Sequence, residues 1–283
     1  MAILNRIQIH PIKALDPVEI NRTTVQDGGL EYDRKYAMFD DSDEFINGKK
    51  TDQVHQLRSS FDPELEEVTL WQQGGNKRHT FDMCTDREAL ERWLCEFFEE
   101  SVTVVESTDT RFTDTAGGSA PMDISAPGPS IVSGATYEEI SSWFTDLNVP
   151  ELRGRFRTNL EIAGVPPFWE DKLFADEKNV VEFYIGDVLL RGVLPLPRCV
   201  VPTRNPFTGE RDEDFVSMFI EKRAEKFPQW ADAEHLGQKL PDHSQHYFYL
   251  TVVTRIPSSE DGKVLEVGDE VEIIGEKPLL KSL

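Results

Sequence analysis

The chain has 283 residues, a hydrophobic fraction of 39% and a formal net charge of −22. That acid excess argues against a nucleic-acid partner, because phosphate contacts need a basic face. No apolar run reaches the roughly 18 residues of a membrane span. Along the chain, Ile3, Ile7 and Ile9 open a first strand, followed by Val18–Ile20 and Thr23–Val25 leading into a turn at Asp27-Gly28-Gly29. Arg34 to Phe39 alternates as a half-buried strand, and Val68–Trp71 with His79–Phe81 reads as a hairpin across Gly74-Gly75-Asn76. Thr85 and Glu88 are spaced as a capping box before a helix whose Leu90, Trp93, Leu94, Phe97 and Phe98 share a face. A stretch from Ser107 to Pro129, rich in Thr, Gly, Ser, Ala and Pro, reads as a linker.

Beyond the linker, Ser133 and Thr136 precede Glu139 at the start of a second capped helix. Strands return at Leu160–Ile162, Val180–Ile185 and Val188–Leu190, a helix is predicted over Glu213–Phe227, and the end is β again at Tyr247–Val253 and Val267–Ile274. Many short strands with few helices predict a mainly β, α+β chain built on a β-barrel or sandwich core.

Chemistry concentrates at a few residues. Cys199 lies in Leu196-Pro197-Arg198-Cys199-Val200-Val201-Pro202, a stiff loop with a cation beside the thiol, which favours the nucleophilic and metal-ligating thiolate. Cys84 and Cys95 border or enter a helix and read as packing residues. With no CxxC or iron–sulfur spacing, and no signal peptide at Met1–Ile7, the three thiols read as reduced and the protein as cytoplasmic. Arg153, Arg155 and Arg157 place three guanidinium groups within five residues, and on a strand they would share one face. In so acidic a chain this predicts an anion site, with Arg153 the member most readily explained as a surface ion pair. His235, Asp242, His243 and His246 are of the types that ligate metals, but Pro241 and the strand that follows argue against the helix that would align them. The acidic balance also fits adaptation to high salt.

Several of these segments resemble a known family. His10-Pro11-Ile12-Lys13 and Gly29-Leu30-Glu31-Tyr32-Asp33-Arg34 are similar to the N-terminal β-barrel domain that precedes the molybdenum cofactor sulfurase C-terminal (MOSC) domain. Arg155-Phe156-Arg157-Thr158-Asn159-Leu160, Ile185-Gly186-Asp187, Arg198-Cys199 and Val267-Gly268-Asp269-Glu270-Val271 are similar to the MOSC domain itself. The resemblance implies a smaller N-terminal barrel-like domain over 1–110, a linker over 111–130 and a MOSC β-barrel over 131–278. It extends to the amidoxime-reducing molybdoenzymes, and so implies a molybdenum–molybdopterin oxidoreductase acting on N-hydroxylated compounds. It implies that Cys199 ligates molybdenum and that Lys13, Arg34, Ser133, Thr136, Arg155, Arg157, Asn159 and Arg198 hold the cofactor. The residue types agree: lysine and arginine suit a phosphate dianion, asparagine a pterin edge, and a thiolate a molybdenum centre. The chain departs from the family's usual Tyr, Ser and Pro at His10, Ala14 and Thr158. It carries no cysteines for an iron–sulfur domain after Cys199, so electrons are expected from a separate ferredoxin, flavodoxin or cytochrome. The alternatives are a persulfide carrier or transferase using Cys199, and a non-enzymatic carrier of the cofactor.

Overall fold

The computed structural model describes residues 1–107, 112, 128–231 and 248–278. In chain order its strands are β1 (Ile3–Ile9), β2 (Val18–Ile20), β3 (Arg22–Gln26), β4 (Gly29–Leu30), β5 (Tyr36–Phe39), β6 (Leu57–Phe61), β7 (Glu67–Gln72), β8 (His79–Asp82) and β9 (Thr103–Glu106). They continue as β10 (Ile131–Ser133), β11 (Leu160–Ala163), β12 (Asn179–Ile185), β13 (Val188–Pro197), β14 (Tyr249–Arg255), β15 (Val264–Glu266) and β16 (Val271–Pro278). The α-helices among the described residues are α1 (Arg87–Phe98), α2 (Gly134–Ser141), α3 (Val149–Phe156) and α4 (Phe215–Lys226). The chain is therefore mainly β, of the α+β kind its patterning predicts. His235, Asp242, His243 and His246 lie outside the described residues.

The main sheet runs β16-β12-β13-β14-β10-β11-β1-β2. Its two ends approach one another: Ile3 bridges Glu270, and Leu4 exchanges backbone hydrogen bonds with Gly268 and Asp269 at 2.8 Å each. The first strand thus meets the last turn, and β3 pairs with β15. Within β1, Leu4, Ile7 and Ile9 are all buried although Leu4 and Ile7 are three apart. A bulge in the pairing with β11, between Leu4 and Arg6, shifts the phase of the alternation so that both point inward.

Two large cores divide the chain at an early point. Leu4, Ile7, Ile9, Val25 and Leu30 pack with Ile131, Leu160, Phe183, Leu190 and Val252 inside the main sheet. Ile12, Leu15, Tyr36, Met38, Leu57, Leu70, Leu90, Leu94 and Phe98 build a second core between β5–β9 and α1. Each such side chain contributes roughly 1.5–3 kcal/mol of burial. Between Ile9 and Ile12 the backbone crosses from one core to the other, so His10-Pro11-Ile12-Lys13 lies on the seam. A third, aromatic cluster of Phe156, Phe215, Phe219 and Phe248 joins α3 and α4 to the strand region that follows.

Three local expectations change. Thr85 does not cap α1: the helix starts at Arg87 after Asp86, and Asp82 Oδ1 instead accepts from the backbone of Cys84 and Thr85 at 2.8 and 2.7 Å. Ser133 precedes α2 but its hydroxyl donates to Pro166 O at 3.2 Å, so no capping box forms with Glu139. Arg153, Arg155 and Arg157 are not on a strand: the first two lie in α3, capped by Asn148 Oδ1 accepting from Glu151 N at 2.9 Å, and Arg157 is the left-handed residue that ends it. On a helix, residues two apart diverge by roughly 200°, so the three guanidinium groups point to different partners.

Candidate functional site

The seam segment brings cations from distant parts of the chain together. Lys13 is nearly buried, and its ammonium stands 3.6 Å from the centroid of the Phe45 ring, a cation–π contact backed by Phe39 at 4.7 Å from Phe45. Arg34 takes a left-handed backbone, φ 54°, which places its N–H on His10 O at 2.8 Å. Its guanidinium pairs with the buried Asp33 and approaches Asn159 Oδ1 at 3.5 Å. Arg157 reaches across the seam and donates to Leu15 O at 2.6 Å. Asn159 ties the start of β10 to β1 in the main sheet: Nδ2 donates to Gln8 O at 3.0 Å, and Oδ1 accepts from Ser130 N and Oγ at 3.2 Å.

The field of this group is legible in its neighbours. Burial, then the charge of Arg157, holds His10 down to about 3, with Arg34 adding and Asp33 opposing. Burial, then Arg157 and Arg204, lowers His55 to about 4. Both imidazoles are neutral at pH 7. Burial raises the Asp16 carboxyl against the pull of Arg58 and Arg157. In a chain of net charge −22, arginines whose charge lowers two neighbouring imidazoles are a grouping suited to an anion.

Cys199 is exposed on the loop after β13, just before a 3-10 turn at Val201–Thr203. Arg198 anchors that loop beside Arg157: its Nη2 donates to Phe156 O at 2.6 Å, and its N–H to Phe248 O at 2.9 Å. The loop then docks on the N-terminal lobe. Arg58 donates to Pro206 O at 3.3 Å, and Arg204 lies 3.9 Å from Asp52. Gly209 turns there with φ 78°, where an added Cβ would meet Asp52 O at 2.7 Å, so only glycine allows the approach. Among the described residues no three His, Cys, Asp or Glu side chains gather as a metal cage. Cys199 presents one exposed thiol.

Three residues expected at the cofactor have other partners. Arg155 is buried, paired with Glu151 Oε1 at 2.9 Å, 3.6 Å from Asp212, and donating to Pro202 O at 3.1 Å. It fastens the Cys199 loop to α3. Ser133 N and Thr136 Oγ1 both donate to Glu170 Oε2, at 3.1 and 3.0 Å. The hydroxyl beside Asn159 is that of Ser130, which immediately precedes β10, three residues and about 10 Å of extended chain before Ser133. Nothing in the sequence distinguishes the two serines, since the choice depends on the parallel register of Ile131 with Leu160. Sequence reasoning also leaves Asp33 and His55 outside the site, and it reads His10 first as a structural residue at a strand end and only second as a lining of the pocket. A buried Asp directly before Arg34 is the signal that could have found the first of them.

Glu170 carries a separate, testable consequence. Burial, then the nearby Asp171, pushes its carboxyl up to about 8, while Arg223 opposes. The folded state keeps this proton where the unfolded chain, at about 4.5, has lost it. Stability is therefore full below about pH 4.5 and falls as pH rises towards 8. Glu170→Gln keeps a neutral group at the position and removes this cost, on the order of 4 kcal/mol at pH 7.5. The expected result is a higher unfolding midpoint for the variant at pH 7.5, converging with the wild type near pH 5. Equal midpoints at both pH values would mean that Glu170 is ionised in the fold.

The family model described as MOSC N-terminal beta barrel domain matches residues 1–148. No curated protein matches this chain. Among solved structures, the YuaD protein of Bacillus subtilis aligns over 96% of this chain and 96% of its own at 13% identity, with a TM-score of 0.35, too loose a likeness to carry further argument. The matched segment contains Lys13 and Arg34 and spans more than half of the sequence, so the chain belongs to the MOSC N-terminal β-barrel domain family, which is linked to the molybdenum cofactor.

Proposed function

We propose that the protein is a molybdenum-cofactor-dependent oxidoreductase that reduces N-hydroxylated compounds with electrons from a separate redox protein. The observation that carries this reading is the convergence of Lys13, Arg34 and Arg157 on one seam, with the loop of Cys199 anchored beside them through Arg198 and Phe156. The residues fit the group. Buried and half-buried cations suit its phosphate, Asn159 stands in reach of Arg34, and Cys199 presents an exposed thiol that suits a soft metal. When bound, the cofactor supplies two-electron chemistry, in which the N–O bond of the substrate is cleaved with two electrons and two protons to leave the N–H product and water.

The chain's own part is positioning and charge balance. Arg34 is oriented by Asp33, and Arg157 by Leu15 O, so neither guanidinium has to be ordered when the anion arrives. Lys13 is held against Phe45, away from bulk water, where its charge counts for more. Arg155 and Arg198 fix the loop that presents Cys199. The external donor is a ferredoxin, flavodoxin or cytochrome.

The exposure of Cys199 also supports a persulfide carrier, and one experiment separates the two. Protein from a cofactor-competent host is analysed for molybdenum and pterin beside Cys199→Ala. Near-stoichiometric molybdenum in the wild type, with turnover of an N-hydroxylated substrate lost by at least about a hundredfold in the variant, is the expected result. Absence of molybdenum and pterin from both, with persulfide loading of Cys199 by a cysteine desulfurase, would replace the oxidoreductase by the carrier.

A further inference from the structure

His10 is fully buried, and its ring has no satisfied nitrogen. The backbone around it is well tied: His10 N donates to Asp33 Oδ1 at 2.9 Å, and His10 O accepts from Arg34 N at 2.8 Å. Nδ1, however, stands 3.6 Å from Asp33 Oδ1, longer than a hydrogen bond, and among the described residues neither ring nitrogen has a hydrogen-bond partner. Each such buried polar atom carries the full desolvation cost with nothing in return. A leucine in the same space would avoid it. The charged groups acting on the ring are Arg157 and Arg34, with Asp33 opposing. An uncompensated buried polar ring in the field of the two cations Arg157 and Arg34 is the arrangement expected of a residue that hydrogen-bonds a ligand.

We propose that His10 is itself a ligand of the bound anion, through a hydrogen bond between Nε2 and an oxygen of a phosphate monoester, with the Asp33 carboxylate 3.6 Å from Nδ1. The inference rests on the anion site of the proposed function and adds a residue to it. Asp33 favours the tautomer that keeps its proton on Nδ1. Nε2 then presents a lone pair, and the bond needs one proton, carried in by a monoprotonated phosphate group or taken up by the ring from water. In either case a proton is shared between Nε2 and the oxyanion. Arg157 and Arg34 supply the charge and His10 the direction, because a neutral imidazole accepts along one axis whereas guanidinium groups can shift across several oxygens.

The test is a titration of the whole protein, labelled with ¹⁵N-histidine, with inorganic phosphate. Phosphate is expected to move the His10 Nε2 resonance away from its unprotonated position. His10→Leu is expected to weaken phosphate binding roughly ten- to a hundredfold, whereas His10→Gln, whose amide reaches to a similar depth, keeps most of it. Phosphate binding that leaves the His10 ring signals unmoved, with His10→Leu binding as the wild type does, would overturn the proposal while leaving the anion site standing. Absence of phosphate binding in the cofactor-free wild type would remove the site itself. Should His10→Leu fail to fold, the ring signals of the wild type decide alone. Running the titration on protein from hosts with and without cofactor synthesis separates the two sources of phosphate. If the cofactor is the source, the resonance is already shifted in the first preparation and unresponsive there; if free phosphate is the ligand, both preparations titrate alike.

Discussion

Replacing Arg157 by glycine is expected to weaken binding of a phosphate-type anion by about a hundredfold or more while leaving the fold nearly as stable as before. The two halves of that expectation come from the same residue. Arg157 ends α3 with φ 53° and ψ 46°, a left-handed conformation that costs a side-chain-bearing residue about 1–2 kcal/mol and glycine almost nothing. Relief of that strain offsets the loss of its hydrogen bond to Leu15 O, worth about 1 kcal/mol. What remains is the loss of a charge-assisted contact to the anion, about 1.5–3 kcal/mol, and of its field at the site. The field has its own readout. Arg157 depresses both His10 and His55, so its removal lets both imidazoles titrate at higher pH than about 3 and about 4. Histidine NMR of the variant checks this directly. Unmoved histidines and undiminished phosphate binding would place the anion elsewhere.

Arg155→Met should destabilise the protein by about 3–5 kcal/mol and loosen the Cys199 loop. Arg155 is 3% exposed and is the shared cation of Glu151 and Asp212, while its third bond holds Pro202 O. Removing one partner from a buried pair leaves the other charge uncompensated, which costs more than the pair itself contributes. The methionine restores volume, so the effect reads on charge and hydrogen bonds rather than on a cavity. The fall in stability is measured by denaturant unfolding. The loop effect is measured by limited trypsin digestion, where cleavage after Arg198, Arg204 or Arg211 should accelerate by about tenfold or more. Arg155→Lys should lie between, because it keeps the charge but not the fork that spans Glu151 and Pro202. A variant as stable and as resistant to trypsin as the wild type would show that the loop is held by Arg58, Arg198 and Arg204 alone.

How far the sequence reaches can be judged from the arginines. Arg153, Arg155 and Arg157 signal an anion site as a set, but the structure uses them separately. Arg153 pairs with Glu161 through two bonds of 2.7 Å, Arg155 fastens the loop, and Arg157 faces the seam. Alternation in so short a segment fits a strand as well as it fits a helix of eight residues. Asn148 and Pro150, a cap and a first-turn proline, are the signals that decide for the helix.

What the amino-acid order determined by itself is local or compositional. Apolar periodicity marks the β7–β8 hairpin and the faces of α1 and α4, and the short motifs around Lys13 and Arg34 mark the family. These features depend on neighbours within a few positions, where the geometry of strand and helix is fixed by the chain itself. Tertiary structure decided which of these residues meet. The bulge in β1, the parallel register that chose Ser130 over Ser133, and the closure of the main sheet by Ile3 with Glu270 each depend on contacts between residues far apart in the chain. So do the burial of Glu170 and the unsatisfied ring of His10. Their properties arise from desolvation and from charges brought near by the fold. No local pattern encodes them, because the energy of a buried polar group is set by its surroundings rather than by its neighbours in sequence.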